Sequence, residues 1–442
     1  MTDSSTSAVP AAAQIIPRSE HNVSRSNISH AALKVLYRLK DGGYQAFLVG
    51  GGVRDLLLGL KPKDFDIATD ARPEEVRALF SNSRLIGRRF RLAHVRFGRE
   101  IIEVATFRGS GDSESTDGEH VIHESGRILK DNAWGSIEED ARRRDFTVNA
   151  LYYNVSDFSI WDFAGGVADV SDGWLRLIGD PEQRYREDPV RMLRAARLSA
   201  KLGLRIHPES AAPIAGLAEL IDGVPSARLF DEFLKMFQTG YARESCRKLL
   251  ELGLFEHMFP EPAQLVVSNE QIAYRELIDA ALTNTDERVA QERSVTPMFL
   301  FAVLLWGPVQ QRVAALLEDE SMSPGQALAL AAAQASDLQC TRIALPRRFS
   351  LPMREVLQLQ PRFLDRRPRR VRSLLAHKRF RAAYDLMLLL VQVGEVEQEV
   401  ADFWTAAQEG EDAPPPAEEE TRPRRRRRRR VGRRPRSTPP AA

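Results

Sequence analysis

A run of three glycines followed by an Asp-x-Asp constrains this chain more than any other feature: residues 49–68 read VGGGVRDLLLGLKPKDFDIA. Lacking side chains, Gly50, Gly51 and Gly52 let backbone N–H groups approach a phosphate closely. If FDIA and the residues leading into it are extended, side chains at i and i+2 share a face, so Asp64 and Asp66 converge on one spot. Converging carboxylates bind hard cations such as magnesium. An Asp-x-Asp alone is equally the mark of a solvated turn, and it is the glycines and Arg54 that favour a site. A phosphate cradle beside such a site is the minimal equipment for phosphoryl or nucleotidyl transfer, in which two magnesium ions about 3.5–4 Å apart serve the attacking hydroxyl and the leaving group.

The surrounding pattern predicts an α+β head over residues 28–155. A helix is expected over 28–39, then the strand YQAFLVGG, the helix VRDLLLG closing at Gly59, and the strand FDIA. ARPEEVRALF follows as a helix with Pro73 in its first turn, and RLAHVRFG with REIIEVATF reads as a strand pair turning at Gly98 and Arg99. Residues 109–127 carry Gly, Ser and acids without apolar period, which predicts a mobile loop before EEDARRRDFTVNALYYN resumes the head. Beyond it the composition is helical, and the reading is an all-α neck over 156–245 and an all-α body over 246–410. Residues 1–27 are Ser, Ala, Pro and polar residues without periodicity and are expected to be disordered.

The net charge of +2 conceals a polarised chain. Residues 411–442 hold eleven arginines against five acids, which leaves the first 410 residues mildly acidic. Such an Arg-rich, Pro-rich tail is expected to be disordered and to contact RNA phosphates without reading sequence, or else to act as a solubilising or targeting extension. In the body of the chain, Arg84, Arg88, Arg89 and Arg91, or Arg347 and Arg348, are local patches suited to the same polyanion. Cys246 and Cys340 are far apart and form no CxxC, so neither a disulfide framework nor a cysteine zinc site is expected. No apolar run is read as a membrane span, and the start, MTDSSTSAVPAAAQ, has no basic region before its short apolar stretch, so a cytoplasmic location is expected.

Two further clusters bear on chemistry. A third carboxylate usually completes a site of this kind, and the candidates are Glu103 in IIEVATF and Asp145 in RRRDFTVNAL. Glu103 reads equally well as a plain edge-strand glutamate. The arginines Arg142, Arg143 and Arg144 before Asp145 bind phosphate or ribose, or simply pair with Glu138, Glu139 and Asp140 on a surface helix. Asp188 and Pro189 read as N-cap and first turn of a helix on which Asp188, Arg191 and Arg194 form one stripe and Val190, Leu193, Ala196 and Ala200 an apolar one. That helix is either a capped amphipathic element or one that offers Asp188 and Arg191 to the edge of a nucleobase.

In order along residues 30–240, the segments LVGGGVRDLLLG, KDFDIAT, EVATFR, RRRDFTVNALYY, DFAGGVADV with LRLIGDP, and EDPVRMLRAARLSAKLGL resemble the class II nucleotidyltransferase superfamily, which contains tRNA CCA-adding enzymes and bacterial poly(A) polymerases. The resemblance implies that Asp64 and Asp66 are magnesium ligands and that Asp145 is a further catalytic acid. It implies that Gly51, Arg54 and Arg144 contact the triphosphate or sugar of ATP, and that Asp188, Arg191 and Arg194 select the nucleotide without a template. GRRFRLAHVRFGREIIEVATFRG, GSIEEDARRRDF, ARLFDEFLKMFQTG and FEHMFPE are closer to the polyadenylating branch, and no His-Asp dipeptide marks an appended phosphohydrolase domain. His94 is read as a structural or substrate-lining residue rather than a metal ligand. Expected partners are RNA 3′ ends and the RNA-degradation machinery. A CCA-adding enzyme and a non-catalytic RNA-binding module remain as the other readings.

Overall fold

The computed structural model describes residues 13–87, 91–109, 120–122, 128–131, 134–268, 271–318 and 322–409. The expectations for the tail, for Arg88 and Arg89 and for most of the 109–127 segment fall outside them. What is described of that segment is a short antiparallel strand, His120–Ile122, paired with Ile128–Asp131.

The head is an eight-stranded mixed sheet. In chain order its strands are β1 (Gln14–Ile16), β2 (Ala46–Val49), β3 (Asp66–Thr69), β4 (Ser83–Ile86), β5 (Leu92–Phe97), β6 (Glu100–Thr106), β7 (Leu151–Asn154) and β8 (Ile160–Asp162). Their spatial order is β1-β8-β7-β2-β3-β6-β5-β4, and every neighbouring pair is antiparallel except β3 with β6. Alternation along the strands sends Leu48, Ile67 and Val104 to a core covered by helices α1 (His30–Asp41) and α3 (Pro73–Leu79). Phe47, Val49, Ala68 and Tyr152 face the other way, into a smaller core with Phe107, Ala141 and Phe163. Asp66 lies two residues before Ala68 on β3 and therefore shares this second face. Helix α2 (Gly51–Leu57) leaves the end of β2 directly.

Two expectations about the head change. Residues 1–27 are not disordered throughout, because β1 pairs with β8 (Gln14 with Asp162) and Val23 and Ile16 are buried in the sheet's core. The segment has no apolar period of its own, and an edge strand supplied by distant sequence orders it. Residue 155 is also too early an end for the head, since β8 lies beyond it. Within the neck, Trp174–Leu175 and Arg205–Ile206 form a small parallel pair, so the neck is not wholly helical.

From Phe146 onward one continuous core runs through neck and body, with Phe233, Phe237, Phe259 and Phe301 packed ring against ring. Helix Pro297–Glu318 has the length and apolar composition of a membrane span, contrary to the sequence reading. Leu300, Phe301, Leu304 and Leu305 on it are buried inside this core, which accounts for its composition.

Candidate active site

β3 begins at Asp66, so Asp64 lies in the exposed lead-in to the strand and Phe65 between them is buried. Asp66 sits in register with Val49 on one side and with Glu103 of β6 on the other. The same row continues to His94 on β5, whose Nε2 lies 3.1 Å from a Glu103 carboxylate oxygen, and then to Arg84 on β4. The parallel pairing thus puts Glu103 beside Asp66, which sequence could only offer as one of two choices. Burial raises the Asp66 carboxyl to about 6, with the negative charges of Glu103 and Asp64 adding to it and Arg144 opposing.

The glycines work as their composition suggests at two positions. Gly50 has φ +68°, a region that side chains resist, and a Cβ there would stand 3.3 Å from Nη1 of Arg144. At Gly51 a Cβ would stand 3.3 Å from Nη2 of Arg54. Both guanidinium groups lie against bare backbone. Arg54 is buried, donates from Nε to Asp55 at 2.9 Å, and donates from Nη1 to the side-chain oxygen of Asn149.

The three arginines before Asp145 separate in function because they end helix α4 (Ile137–Arg143). Arg142 pairs with Glu138 on the surface, Arg143 donates to the Gly109 carbonyl, and only Arg144 turns into the site. Arg144 donates to Asp140 at 2.9 and 3.1 Å and to the Tyr152 hydroxyl at 2.9 Å, and its guanidinium lies 5.0 Å from the Tyr152 ring centre. Tyr152 in turn donates to Asp140 at 2.6 Å. These contacts raise the Arg144 pKa despite its burial, so it is a fixed positive charge.

Asp145 does not join Asp66 and Glu103 among the contacts of the carboxylate row. It accepts from its neighbour's backbone, Phe146 N–H, at 2.8 Å and from Asn149 Nδ2 at 3.1 Å, and it is ion-paired with Arg194. Burial pushes this carboxyl up, but Arg194, Asn149 and the Phe146 N–H outweigh that and hold it at about 2. Asn149 therefore bridges Arg54 and Asp145 and ties the glycine helix to the Asp145–Arg194 pair.

The neck supplies the other wall. Helix α5 (Gly166–Asp172) is followed by α6 (Pro181–Glu187) and α7 (Val190–Leu202), with Asp188 at their junction. The expected stripe of Val190, Leu193, Ala196 and Ala200 is buried. Asp188 does not cap α7: no side chain does, and the carboxylate is drawn off into a bidentate pair with Arg228 at 3.0 and 3.1 Å. Arg191 donates to Glu187 at 3.0 Å and to the Arg184 carbonyl at 2.7 Å. Arg184 donates to the Arg143 and Arg144 carbonyls at 2.8 and 2.6 Å, which fixes the turn after α4 against α6. Burial and the neighbouring Arg191 lower Arg184 to about 10. Lys201 of α7 stands 3.8 Å from Asp55 of α2, a second link between head and neck.

Asn149, Asp140, Arg184 and Arg228 were not singled out from sequence. Only Asn149 carried a local signal, four residues after Asp145 and next to it in space.

All donors around Asp66 are carboxylate oxygens, and among the described residues no three metal-ligating side chains form a ready cage. That set fits magnesium, which is held by one or two carboxylates together with water and substrate phosphates. A buried carboxylate raised by like-charged neighbours is also the electrostatic condition that a hard cation relieves.

Three family models match: the poly A polymerase head domain over residues 46–176, the probable RNA and SrmB-binding site of polymerase A over 203–265, and the polymerase A arginine-rich C-terminus over 320–437. Among curated relatives, Poly(A) polymerase I of Escherichia coli O157:H7 is 50% identical over 380 residues, 86% of this chain and 82% of the relative. Poly(A) polymerase I of Haemophilus influenzae is 43% identical over 392 residues, 88% and 87% of the two chains. The CCA-adding enzyme of Bacillus subtilis is more distant, 34% identical over 285 residues, 63% and 68%. Among solved structures, a CCA-adding enzyme in complex with ATP superposes with a TM-score of 0.58 at 20% identity, covering 87% of this chain and 83% of that one. The Thermotoga maritima CCA-adding enzyme complexed with tRNA gives 0.56 at 19% identity, covering 88% and 83%. The architecture is therefore common to both branches, while close sequence identity over most of both chains falls on one of them, and this chain belongs to the bacterial poly(A) polymerase I family of nucleotidyltransferases.

Proposed function

We infer that this enzyme adds AMP from ATP to RNA 3′ ends without a template, releasing pyrophosphate, at the pocket between the carboxylate row and helix α7. The observation that carries the mechanism is the placement of Asp66 beside Glu103 with the fixed charge of Arg144 close by.

Asp66, with Glu103 alongside and Asp64 at the entrance, would hold magnesium. When bound, the metal supplies Lewis-acid charge to the hydroxyl and to the triphosphate. The chain's own residues do the rest by positioning. Backbone N–H groups of the Gly51 turn, Arg54 and Arg144 orient the triphosphate so that the RNA 3′ oxygen bonds to the α-phosphorus in line as the bond to pyrophosphate breaks. Asp188 offers an acceptor and Arg191 a fork of donors to the adenine edge. Asp145 acts through Arg194, holding it in place, and through Asn149 it sets Arg54. It is a positioning acid in this reading.

Extension of RNA tails is expected to feed RNA processing and decay in the cytoplasm, with the degradation machinery as partner. The matched probable RNA and SrmB-binding segment over residues 203–265 supports a protein partner there.

The test is extension of two labelled primers, a generic oligoribonucleotide and a tRNA transcript lacking its 3′ CCA, with magnesium and each nucleoside triphosphate separately and mixed. A long ladder on the generic primer with ATP alone is expected. Addition of no more than three nucleotides, confined to tRNA and requiring CTP, would make it a CCA-adding enzyme, and binding without extension would leave an RNA-binding module.

A further inference from the structure

The end of the body carries a concentration of charge that the site does not use. Residues 362–381 read RFLDRRPRRVRSLLAHKRFR, nine cations against one acid, in a chain whose first 410 residues are acidic on balance. Helix Pro368–Leu375 explains how they are displayed: Val371 and Leu374 are buried, and Arg369, Arg370 and Arg372 are exposed on the remaining surface. Four acids answer part of the charge, with Arg370 3.7 Å from Asp365, Arg366 3.4 Å from Glu399, Arg379 3.0 Å from Glu355 and Arg381 3.0 Å from Asp385. Among the described residues, no side chain answers Arg369 or Arg372. These two are three apart on a helix, neighbours at about 5–6 Å between Cβ atoms.

The root of the tail is fastened to the same place. Trp404 of the last described helix, Gln398–Glu409, is buried between Phe363 and Phe380, the residues flanking the basic helix, with ring centres 5.1 and 5.9 Å away. Its indole N–H donates to the Phe363 carbonyl at 2.8 Å. Thirteen residues separate Glu409 from Arg422, the first arginine of the tail, at most about 45 Å of extended chain.

We propose that the face bearing Arg369, Arg370 and Arg372 is a docking surface for the phosphodiester backbone of single-stranded RNA, binding the strand upstream of the 3′ end in concert with the tail arginines. The proposal rests on the reading of the protein as an RNA-extending enzyme. Unanswered, exposed guanidinium groups release condensed counterions when they meet a polyanion, which favours binding without sequence preference. The exposed ion pairs around them are weak enough to exchange for phosphate. Apart from Leu364, residues 362–381 expose no large apolar side chain to enter a bilayer, which favours RNA over an anionic lipid surface. Linking such a face to the tail raises the local concentration of one for the strand held by the other.

The experiment compares the full chain, the variant R369Q/R372Q, and each of these lacking residues 421–442. Fluorescence anisotropy with labelled oligoribonucleotides of 30 and 6 nucleotides is measured from 50 to 300 mM KCl, alongside AMP incorporation on the 6-mer. R369Q/R372Q is expected to flatten the slope of log K against log salt for the 30-mer by about 1.4, two single-strand phosphate contacts, in chains with and without the tail. AMP incorporation on the 6-mer should be unchanged. A 30-mer slope and affinity equal to the parent's would overturn the proposal. So would loss of binding to phosphatidylglycerol vesicles with RNA affinity intact, which would give the face to lipid. Failure of the parent chain to extend the 6-mer would instead refute the catalytic reading, while the 30-mer slopes still decide the docking face.

Discussion

Asp66 of β3 and Glu103 of β6 are register partners across the one parallel strand pair in the described part of the head's sheet. Adjacent positions in such a pair project from the same face, so two carboxylates are held side by side with the third, Asp64, at the strand's entrance. Arg144 is the nearby cation, and it is already committed to Asp140 and Tyr152. The cluster is thus short of positive charge.

Asp66→Ala or Asp64→Ala should abolish AMP incorporation while leaving the circular dichroism spectrum intact. Near-parental activity in either would sink the metal assignment. Asp66 also predicts a stability effect. Its folded pKa near 6 lies above the unfolded value of 3.8, so the folded state binds the extra proton and stability falls as pH rises through that window. Asp66→Asn should therefore be more stable than the parent at pH 7, by about 1–3 kcal/mol. Magnesium should raise the parent's melting temperature at pH 7 and leave that of the Asn variant where it was.

Glu103→Gln keeps the shape of the row and removes one charge. AMP incorporation should fall by about 100-fold, in the range lost when a single group that stabilises transition-state charge is removed. His94→Ala, which removes only the outer partner of Glu103, should stay within a few-fold of the parent. Single-turnover rates on one primer separate the two, and equal losses would mean that His94 and Glu103 act as a unit.

Asp145 behaves oppositely to Asp66 with pH. Its folded pKa of about 2 lies below the unfolded 3.8, so its pairing stabilises the fold above pH 4 and that contribution is lost as pH falls from about 4 to 2. Asp145→Asn should cost about 2 kcal/mol at pH 7 and progressively less toward pH 2. Chemical denaturation at pH 7, 4 and 3 measures this, and a cost that does not shrink in acid would remove the charge pair with Arg194 as its origin.

Arg191 is held by Glu187 and by the Arg184 carbonyl, so its guanidinium is placed before any nucleotide arrives. Arg191→Ala should reduce the preference for ATP over CTP by about 10-fold or more, as loss of a charge-assisted hydrogen bond would. Affinity for the primer should change little. Unaltered selectivity with weakened primer binding would move Arg191 to the RNA site.

Sequence alone determined those features whose physics is local. Three glycines beside an Asp-x-Asp declare a phosphate and cation chemistry because backbone freedom and carboxylate charge belong to the residues themselves. Helical and strand periods of the head, and the buried stripe of α7, were legible for the same reason. Tertiary structure decided what depends on register and partnership. Glu103 was one of two possible third carboxylates until the β3–β6 pairing set it beside Asp66, while Asp145 found Arg194 across the head and neck. Asp188 reads as a helix cap from its neighbours, yet Arg228, forty residues on, takes its carboxylate because a bidentate ion pair outcompetes a single capping hydrogen bond. The N-terminal strand likewise carries no apolar period, and order comes to it from the unpaired edge of β8. Local chemistry is written in the chain, whereas the identity of each charge's partner is settled only when distant segments are brought within a few ångströms.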